Sequence, residues 1–550
     1  MSLGFLSEEV FSSGDWYYFE KAVARYLIHK GWQNVELVGG PGDKGADILA
    51  TRRNADYVIQ VKFSSSNSNL SVDIVGDVIK AMKFYDIQKG LCISNRMLGA
   101  SQKNKMETYT NSGWDIKSFT SGKLLKSFER MNKWTTDDRK PYNYQVECLS
   151  ELKASFPEKG KGLISLATGM GKTFVACNFV RWLIENNEGL NILILAHRES
   201  LIDQFEQSLW RSLPKTISTH LLSGTHKPYY DGGVLLSTFD SFPSWHEKNR
   251  EMLFDIVIVD EAHHTKAPTY EQVIKLTNPI FTLGLTATPY RSDRRSITDI
   301  FGPPLVYYDV ATAIKQKYLC EVDYKLRNDN IDHDWVTRNS NKGYTMKHLN
   351  KKLFIPQRDE EVCSVFMDYW RNERRKSGII FCQKVKHAKS IEKIMRVEHS
   401  MPCFSLTNKN DRRENIRILR QFRRGEIKIL TVYDMLNEGV DVPDIDIIAF
   451  MRVTHSRTYF LQQLGRGLRF QRGKKLLVLD FVSDLRRLKA VQRLRNEYYA
   501  VEDGDEIMTL EEGFKLEFDN QNHIDFLNLV VQDVETEFLE ENDLVHLAQN

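Results

Sequence analysis

The segment Leu166–Thr173 carries glycine, lysine and threonine at a spacing that suits phosphate binding. An apolar run before it predicts a buried strand, and the residues after it follow helical spacing. Gly169 and Gly171 let backbone N–H groups curl around a phosphate at the positive end of that helix. We expect Lys172 to reach the β- and γ-phosphates of a nucleotide and Thr173 to hold Mg2+.

A pair of acidic residues ends a second apolar run. Phe254–Val259 has the composition of a buried strand, and Asp260 and Glu261 follow it directly. Open α/β sheets bind ligands at the carboxyl ends of their strands, so one carboxylate can hold Mg2+ through water while the other polarises an attacking water. A solvated turn is the alternative interpretation, but it requires the Lys172 loop to be coincidental as well.

The first ~125 residues hold a separate set of polar residues, on the usual scale of one domain. Glu20 lies in an amphipathic helical pattern, Asp47 precedes an apolar segment, and Gln60 and Lys62 lie in or directly after the strand predicted at Tyr57–Val61. Alternation places Gln60 and Lys62 on one face of the strand, where both can converge with Asp47 across a hairpin. A carboxylate, an amide oxygen and a lysine around one point predict a Mg2+ site beside a charge-stabilising ammonium.

The elements that must position these residues alternate between strands and helices, which predicts an α/β protein. With 550 residues, 41% hydrophobic and 27% charged, the chain has an ordinary globular composition, and its length suits about 3 to 4 domains. It has no apolar run of ~18 residues and no basic-then-apolar start, so we expect no membrane span, no secretory signal and a cytoplasmic location. Seven scattered cysteines without a Cys-x-x-Cys pair indicate reduced thiols rather than a structural zinc.

The charge is distributed unevenly. Residues 501–550 carry fifteen acidic residues and one lysine, hence a formal charge of −14, against +17 for residues 1–500. Such a basic body favours a polyanionic partner, and Leu485–Tyr499 resembles an amphipathic basic helix that could contact DNA. The acidic segment contains apolar residues, so it could dock on the body in competition with DNA, bind a partner, or serve as a solubilising surface.

From residue 139 to 484 the chain resembles the superfamily 2 helicases and translocases, specifically their restriction-type, DEAH-type branch. The resemblance rests on the segments described above, on Leu195–Glu199 and Gln462–Arg469, and on further motifs in the family's order. It implies ATP and Mg2+ as cofactors, with cofactor-binding residues Gln145, Thr168, Gly169, Gly171, Lys172, Thr173, Asp260, Gly439 and Asp441. It also implies catalytic roles for Glu261, Arg466 and Arg469, and backbone contacts to nucleic acid by His197, Arg198, Thr238, Thr407 and Thr431.

The two arginines of the Gln462–Arg469 segment are three residues apart. We expect Arg466 and Arg469 to share one helical face, so that both can stabilise charge on a transferring phosphoryl group.

The N-terminal region resembles the PD-(D/E)xK nucleases, within them the Mrr-like restriction endonucleases. The pattern comprises Phe19-Glu20, the segment Gly42–Asp47 and Gln60-Val61-Lys62. The resemblance implies Asp47, Gln60, Lys62 and Glu20 as catalytic residues, of which Glu20, Asp47 and Gln60 hold the metal, as Thr173 and Asp260 do in the ATP site. The alternatives to an active nuclease are a degenerate DNA-binding relic and a helical-hairpin α/β domain with scattered charges.

The predicted fold class is α/β: a restriction-endonuclease-like domain, two RecA-like parallel-sheet motor domains and a small, mainly helical C-terminal segment. The predicted limits are 1–128 for the endonuclease domain, 129–138 for a linker, 139–320 for the first motor domain, 321–360 for a connecting segment, 361–484 for the second motor domain and 485–550 for the C-terminal segment.

The expected function is an ATP-dependent DNA helicase or translocase with an attached Mg2+-dependent, type II/IV-like restriction endodeoxyribonuclease that acts on foreign DNA such as phage genomes. The expected partner is duplex DNA, or single-stranded DNA during translocation, with other defence subunits as further candidates. A DNA-repair helicase-nuclease has the same parts. An RNA helicase with a non-cutting head and a non-catalytic nucleotide sensor are the remaining alternatives. The sequence leaves the oligomeric state open.

Overall fold

The structure is a computed structural model, and it describes most of the chain. The described residues are 4–6, 16–39, 45–65, 68–70, 72–135, 139–227, 230, 232–264, 268–287, 297–326, 343–345, 359–435, 445–451, 463–481, 514–518 and 544–546. They belong to two compact units. Unit 1 comprises Met1–Leu163, Thr173–Leu285 and Ile300–Leu305, and unit 2 comprises Ile164–Lys172, Thr286–Asp299 and Val306–Asn550.

The N-terminal region folds around a five-stranded sheet in sequential order. The first three strands pair antiparallel, and the last three pair parallel. The strands are β1 Gln33–Leu37, β2 Ile48–Arg52, β3 Ala55–Lys62, β4 Lys89–Ser94 and β5 Asp115–Thr120. The helices are α1 Trp16–His29, α2 Ile74–Tyr85, α3 Ala100–Asn111 and α4 Ser121–Glu129.

A tight hairpin joins β2 to β3. Arg53 and Asn54 have φ angles of 49° and 59°, as a two-residue turn with right-handed twist requires. The turn fixes the register in which Ile48 pairs with Ile59. These two residues are fully buried against apolar residues of α1 such as Phe19.

The next region forms a seven-stranded sheet in the order β12-β6-β11-β10-β7-β9-β8. Its strands are β6 Lys161–Leu166, β7 Ile192–Ala196, β8 Thr219–Leu222, β9 Val234–Thr238, β10 Ile256–Val259, β11 Phe281–Thr286 and β12 Pro304–Tyr308. The helices are α5 Asn143–Ser155, α6 Lys172–Asn186, α7 Glu199–Leu209, α8 Phe242–His246, α9 Pro268–Thr277, α10 Thr298–Phe301 and α11 Val310–Lys315. The central strands are continuous apolar runs because helices cover both faces of such sheets.

The third sheet has seven strands in the order β16-β17-β15-β18-β19-β13-β20, and all of its neighbours pair parallel. Its strands are β13 Glu321–Leu326, β15 Gly378–Phe381, β16 Cys403–Thr407, β17 Ile429–Tyr433, β18 Ile447–Phe450, β19 Lys475–Asp480 and β20 Phe514–Phe518. The helices are α12 Asp359–Asn372, α13 Val385–Val397 and α14 Arg412–Arg423. The predicted class, α/β with two parallel-sheet domains after an N-terminal sheet domain, is confirmed.

The C-terminal segment differs in its described part from the mainly helical prediction. Phe514–Phe518 forms β20 and pairs with β13, so this part of the acidic segment is bound to the third sheet. Two further short strands, β14 Gly343–Thr345 and β21 Leu544–His546, pair antiparallel. The predicted basic helix at Leu485–Tyr499 lies outside the described residues.

The segment predicted as a linker is attached to its surroundings over the part that is described. Met131 is buried in the N-terminal core, and the carbonyl oxygen of Lys133 accepts a hydrogen bond from the Lys215 N–H at 2.8 Å. Thr135 donates to the carbonyl oxygen of Arg211. Residues 129–135 therefore join the N-terminal sheet domain to the region around α7 instead of only spanning a gap.

None of the helices in the described ranges combines the length and the apolarity that a transmembrane span requires.

His29 gives the fold a pH dependence. Burial lowers the pKa of His29 to about 4, although its Nε2 lies 3.0 Å from the Asn132 carbonyl oxygen. The unfolded chain gains a proton near pH 6.5, whereas the folded chain gains it only near pH 4, so stability falls as the pH drops between these values. The free energy of unfolding should therefore fall less between pH 7 and pH 4.5 in His29→Gln than in the wild-type protein, by roughly 1–3 kcal/mol. Denaturant unfolding at the two pH values measures this difference. Equal losses in the variant and the wild-type protein would refute the assignment.

Candidate functional site

The phosphate loop connects β6 to α6 as the sequence predicts. Gly169 and Gly171 have φ angles of 95° and 80°, a region that residues with a Cβ rarely adopt. The helix begins at Lys172, so its first N–H groups are available to an anion. The Thr168 hydroxyl oxygen is buried without a hydrogen-bond partner among the described residues, which fits a loop built to contact a polar ligand.

Lys172 and Thr173 lie in the first turn of α6 and are both half-buried. The Lys172 ammonium lies 3.5 Å from the Leu166 carbonyl oxygen, so its side chain folds back over the loop that it follows. A cationic amine and a hydroxyl next to a helix N-terminus form a donor set suited to a triphosphate and its Mg2+.

A turn containing Arg466 lies against this loop. A Cβ added to Gly169 would stand 3.2 Å from the Gly465 carbonyl oxygen, and Arg466 is half-buried in the turn after Gly465. Arg469 instead forms an isolated β-bridge with Leu319.

The prediction that the two arginines share one helical face is therefore wrong. The helix ends before Gly465, because two closely spaced glycines disfavour its continuation. The Cys320 N–H, which donates to the Leu468 carbonyl oxygen at 2.9 Å, holds the chain in a bridge.

Asp260 and Glu261 end β10. Asp260 is 8% exposed, and its Oδ1 accepts the Glu261 N–H at 3.0 Å. Glu261 has a φ of 48°, a left-handed conformation that costs energy for a residue with a Cβ and is common at functional sites. Its Oε2 lies 3.4 Å from Nδ1 of His263. The backbone strain and the short contacts fix both carboxylates at the carboxyl end of the strand.

Gln145, predicted to bind the nucleotide cofactor, is buried in the first turn of α5. Its Oε1 accepts the Tyr142 N–H at 3.0 Å. The Tyr142 ring stacks on Tyr144 with centroids 5.7 Å apart, and Tyr142 is 54% exposed. The side-chain amide is thus held in place beside an exposed aromatic surface.

In the N-terminal domain, Asp47 and Glu20 converge with Gln60. Asp47 Oδ2 accepts hydrogen bonds from Gln60 Nε2 at 2.5 Å and from the Val61 N–H at 2.6 Å. Glu20 Oε2 and Asp47 Oδ1 lie 2.9 and 3.3 Å from the position that a Cβ on Gly39 would occupy. All three polar side chains are at most 8% exposed.

These three side chains suit a hard metal ion. The Gln60 Oε1 atom is buried and has no hydrogen-bond partner within the described ranges. Over those ranges, no three acidic, histidine or cysteine side chains form a metal-binding group. The oxygen atoms that the three side chains offer are those of two carboxylates and one amide. Oxygen ligands with a net negative charge are what Mg2+ prefers.

Lys62 lies on the same strand as Gln60, and its nearest acidic partner is a residue that the sequence analysis missed. Its Nζ is 3.5 Å from Oδ2 of Asp77, in the first turn of α2. Gly45 packs directly on this turn, since a Cβ there would stand 2.0 Å from the Asp77 carbonyl oxygen. No short motif contains Asp77. The only signal is an acidic residue at a helix N-terminus, which is common on any surface.

The candidate nucleic-acid contacts differ in exposure. Arg198 is exposed at the N-terminus of α7, whereas Thr238 is 9% exposed and donates to the Ser241 hydroxyl at 2.9 Å. Thr431 is fully buried, and its hydroxyl lies 3.0 Å from the Ala388 carbonyl oxygen. Of these residues, the structure presents Arg198 to a ligand most directly.

Two predicted cofactor residues, Gly439 and Asp441, lie outside the described residues.

Three family models match the chain. The model described as "Type III restriction enzyme, res subunit" matches residues 138–291, and that of the helicase conserved C-terminal domain matches residues 357–471. The Mrr-type restriction endonuclease model matches residues 11–112. The three matches follow one another along the chain, and each covers most of the strands of one of the three sheets.

Curated proteins resemble the chain over about three fifths of its length. It is 24% identical over 357 residues to a candidate ATP-dependent helicase, IRC3, of Saccharomyces cerevisiae, a match that covers 62% of the chain and 51% of that protein. It is 26% identical over 381 residues to the Type I restriction enzyme EcoAI endonuclease subunit of Escherichia coli, covering 62% of the chain and 46% of the subunit. The chain thus spans about half the length of these relatives.

One solved structure matches nearly the whole chain. The ATP-dependent Type ISP restriction-modification enzyme LlaBIII bound to DNA aligns over 93% of the chain and 41% of its own, with a TM-score of 0.52 and 16% identity. At this identity the match shows a shared fold.

The strained position of Glu261 predicts a catalytic effect. We expect Glu261→Gln to lower the ATPase turnover rate on the order of 10²-fold or more, with ATP still bound, because Glu261 is the carboxylate predicted to polarise the attacking water. Steady-state ATPase and nucleotide-binding assays measure this, with the exposed Glu251→Gln as the matched control. An unchanged turnover rate in Glu261→Gln would exclude Glu261 as the residue that polarises water.

The Gln60 Oε1 atom, which has no hydrogen-bond partner among the described residues, predicts that Gln60 contributes to metal binding. We expect Gln60→Met to weaken divalent metal binding by roughly 10–100-fold, seen as a loss of the thermal shift that Ca2+ produces at low concentration. Gln102→Met is the control, because Gln102 is equally buried but bonds to the Val75 N–H. If both variants keep the wild-type Ca2+ response, the amide does not hold a metal.

Proposed function

Because the chain combines the two helicase domains of superfamily 2, in their restriction-type form, with an Mrr-like restriction endonuclease domain, we propose that it is an ATP-driven DNA translocase or helicase that carries its own Mg2+-dependent endonuclease. The observation that carries the proposal is the buried set of Glu20, Asp47 and Gln60, in one chain with the Lys172 phosphate loop. Among the described residues, the Gln60 amide oxygen of this set has no hydrogen-bond partner.

In the motor, the loop residues bind and orient the nucleotide. The backbone N–H groups of the loop after Gly169 and the Lys172 ammonium bind the phosphates. Thr173 and Asp260 hold Mg2+, which when bound neutralises charge on the phosphate oxygens. Glu261 orients and polarises the attacking water. Arg466, on the turn next to Gly169, stabilises charge on the transferring phosphoryl group.

In the endonuclease, Glu20, Asp47 and Gln60 would hold the metal, which when bound would activate a water and offset negative charge on the phosphodiester. The Lys62 ammonium, placed two residues after Gln60 on β3, stabilises the charge that develops at the phosphorus centre. Asp77 keeps this ammonium at the edge of the site.

DNA is the proposed substrate of both parts. The formal charge of +17 on residues 1–500 supports binding to a polyanion, and the exposed Arg198 supplies a phosphate contact without reading bases. The similarity to the EcoAI endonuclease subunit supports a role in restriction of foreign DNA such as phage genomes. A DNA-repair role would use the same chemistry on a different substrate.

The test is cleavage of linear and circular duplex DNA with Mg2+, with and without ATP. We expect Lys62→Ala to abolish cleavage while DNA-stimulated ATPase persists, because the lysine acts only in the endonuclease. We expect Lys172→Ala to lower ATPase by 10²-fold or more, the scale of a lost phosphate contact, and to remove any ATP-dependent part of cleavage.

Lys80→Ala is the control for Lys62→Ala, since Lys80 also pairs with Asp77 but is largely exposed. Hydrolysis of ATP without cleavage of any DNA would reduce the N-terminal domain to a binding module. ATPase stimulated by RNA but not by DNA would favour the RNA helicase instead.

A further inference from the structure

Helix α1 serves two parts of the molecule at once. Its Phe19, Val23 and Leu27 side chains are buried in the core of the N-terminal domain, and Glu20 points toward Asp47. Trp210, which follows α7 of the motor, belongs to the same buried cluster. The N-terminal domain and the α7 region therefore share one core within unit 1.

A second stripe on α1 faces the motor. Tyr17, Lys21 and Arg25 recur every four residues, so they lie on one side of the helix. Lys21 Nζ is 2.5 Å from Oε2 and 2.7 Å from Oε1 of Glu206 on α7, and both side chains are at most 6% exposed. Thr219 donates to the same carboxylate at 2.6 Å. The charges are thus both paired and hydrogen-bonded, which a buried ion pair requires.

Arg25 continues this contact. Its two terminal nitrogens donate to the carbonyl oxygens of Ile217 at 2.7 Å and Pro214 at 3.0 Å, and its guanidinium lies 4.2 Å from the centre of the Phe5 ring. The side chain is 2% exposed. A guanidinium at this depth is held by backbone acceptors and an aromatic face, so α1 cannot slide along the motor without breaking them.

The motor makes a reciprocal contact. The Lys215 ammonium donates to the carbonyl oxygens of Phe128, Glu129 and Met131 at 2.9–3.0 Å. The carbonyl groups of Phe128 and Glu129 end α4, where a cation is favourable. Charged side chains therefore fix two helices of the N-terminal domain against the α7 region. Helix α1 supplies its own cations, Lys21 and Arg25, whereas α4 receives Lys215 from the motor.

The neighbourhood also contains a candidate DNA contact. Tyr17 stacks on His226 with centroids 4.3 Å apart, and His226 Nδ1 lies 3.2 Å from Oε1 of Glu199. Glu199 directly follows the exposed Arg198 at the start of α7. Helix α7 thus carries the proposed phosphate contact at one end and the Lys21 partner further along.

We propose that the first motor domain positions the metal ligand Glu20 through Lys21, Arg25 and Lys215, so that the endonuclease centre is complete only when α1 is docked on α7. Glu20 and Lys21 are adjacent on one helix, while Asp47 is held by the N-terminal sheet. A shift of α1 would separate the two carboxylates without moving Asp47. This inference rests on the proposed endonuclease function, because it assigns a position to one of its ligands.

The test uses the full chain with Lys21→Met, and with Lys30→Met as the control. Lys30 directly follows the same helix and is exposed. Two readouts are compared: the Ca2+ concentration that gives half of the thermal shift, and the Mg2+ concentration that gives half-maximal DNA cleavage. We expect both to rise roughly 10–100-fold in Lys21→Met, the range for residues that orient metal ligands, with DNA-stimulated ATPase and the KM for DNA unchanged.

Two further variants separate a positioning role from a loss of folding: one exchanges the charges of Lys21 and Glu206, and the other removes the Lys215 ammonium. The double variant Lys21→Glu with Glu206→Lys should restore part of the metal response, and Lys215→Met should weaken it as Lys21→Met does. Wild-type Ca2+ and Mg2+ responses in Lys21→Met would overturn the proposal. So would parallel loss of ATPase and metal response in both Lys21→Met and Lys215→Met, which would show a general structural role.

The two proposals fail in different ways. If the wild-type protein cuts no DNA but its Ca2+ response depends on Lys21, the endonuclease function fails and the positioning role stands. If the wild-type protein cuts DNA and Lys21→Met cuts with the same Mg2+ dependence, only the positioning role fails.

Discussion

Parallel pairing constrains where this chain can place chemistry. A strand buried on both faces is mostly apolar along its length, so the polar groups of a ligand site collect where strands end. The phosphate loop follows β6, Arg198 follows β7, and Asp260 and Glu261 follow β10. Each of these functional segments begins at the residue where a buried strand stops. The rigidity of the strands gives these loops their precision, including the strained backbone at Glu261.

The N-terminal domain solves the same problem with a mixed sheet. Its β2–β3 hairpin brings Asp47 beside Gln60 by antiparallel pairing, and a helix from outside the sheet supplies Glu20. The Asp47 and Glu20 carboxylates are thus held in place by different parts of the structure. One support is the sheet itself, and the other is a helix whose opposite side is buried against the motor. The N-terminal sheet domain and the α7 region, both in unit 1, are in this respect one folded body rather than two modules on a tether.

Local patterns predicted the elements and several of the residues that the structure brings together in each candidate site. The strand, loop and helix around Lys172 and the strand before Asp260 follow from apolar runs and glycine spacing, and the Glu20–Asp47–Gln60 set follows from a short motif. The sequence could not show that Lys21, Arg25 and Lys215 are docking residues, because a charged residue reads as surface until its partner is known. Lys21 and Glu206 are 185 positions apart. The prediction that Arg466 and Arg469 share one helical face was wrong, because the chain around Arg469 pairs with the distant Leu319–Cys320 segment instead of continuing a helix.

The hydrogen-bond acceptors between the N-terminal domain and the α7 region affect which sequence changes this boundary tolerates. Arg25 and Lys215 bind main-chain oxygens at five positions, and such oxygens are present whatever side chain the residue carries. Mutations at those five positions leave the hydrogen-bond acceptors in place, so these hydrogen bonds require no compensating change of either cation. The Lys21–Glu206 pair is different, because both partners are side chains. Among related chains, covariation should therefore reveal the ion pair and miss the two cations that bind backbone.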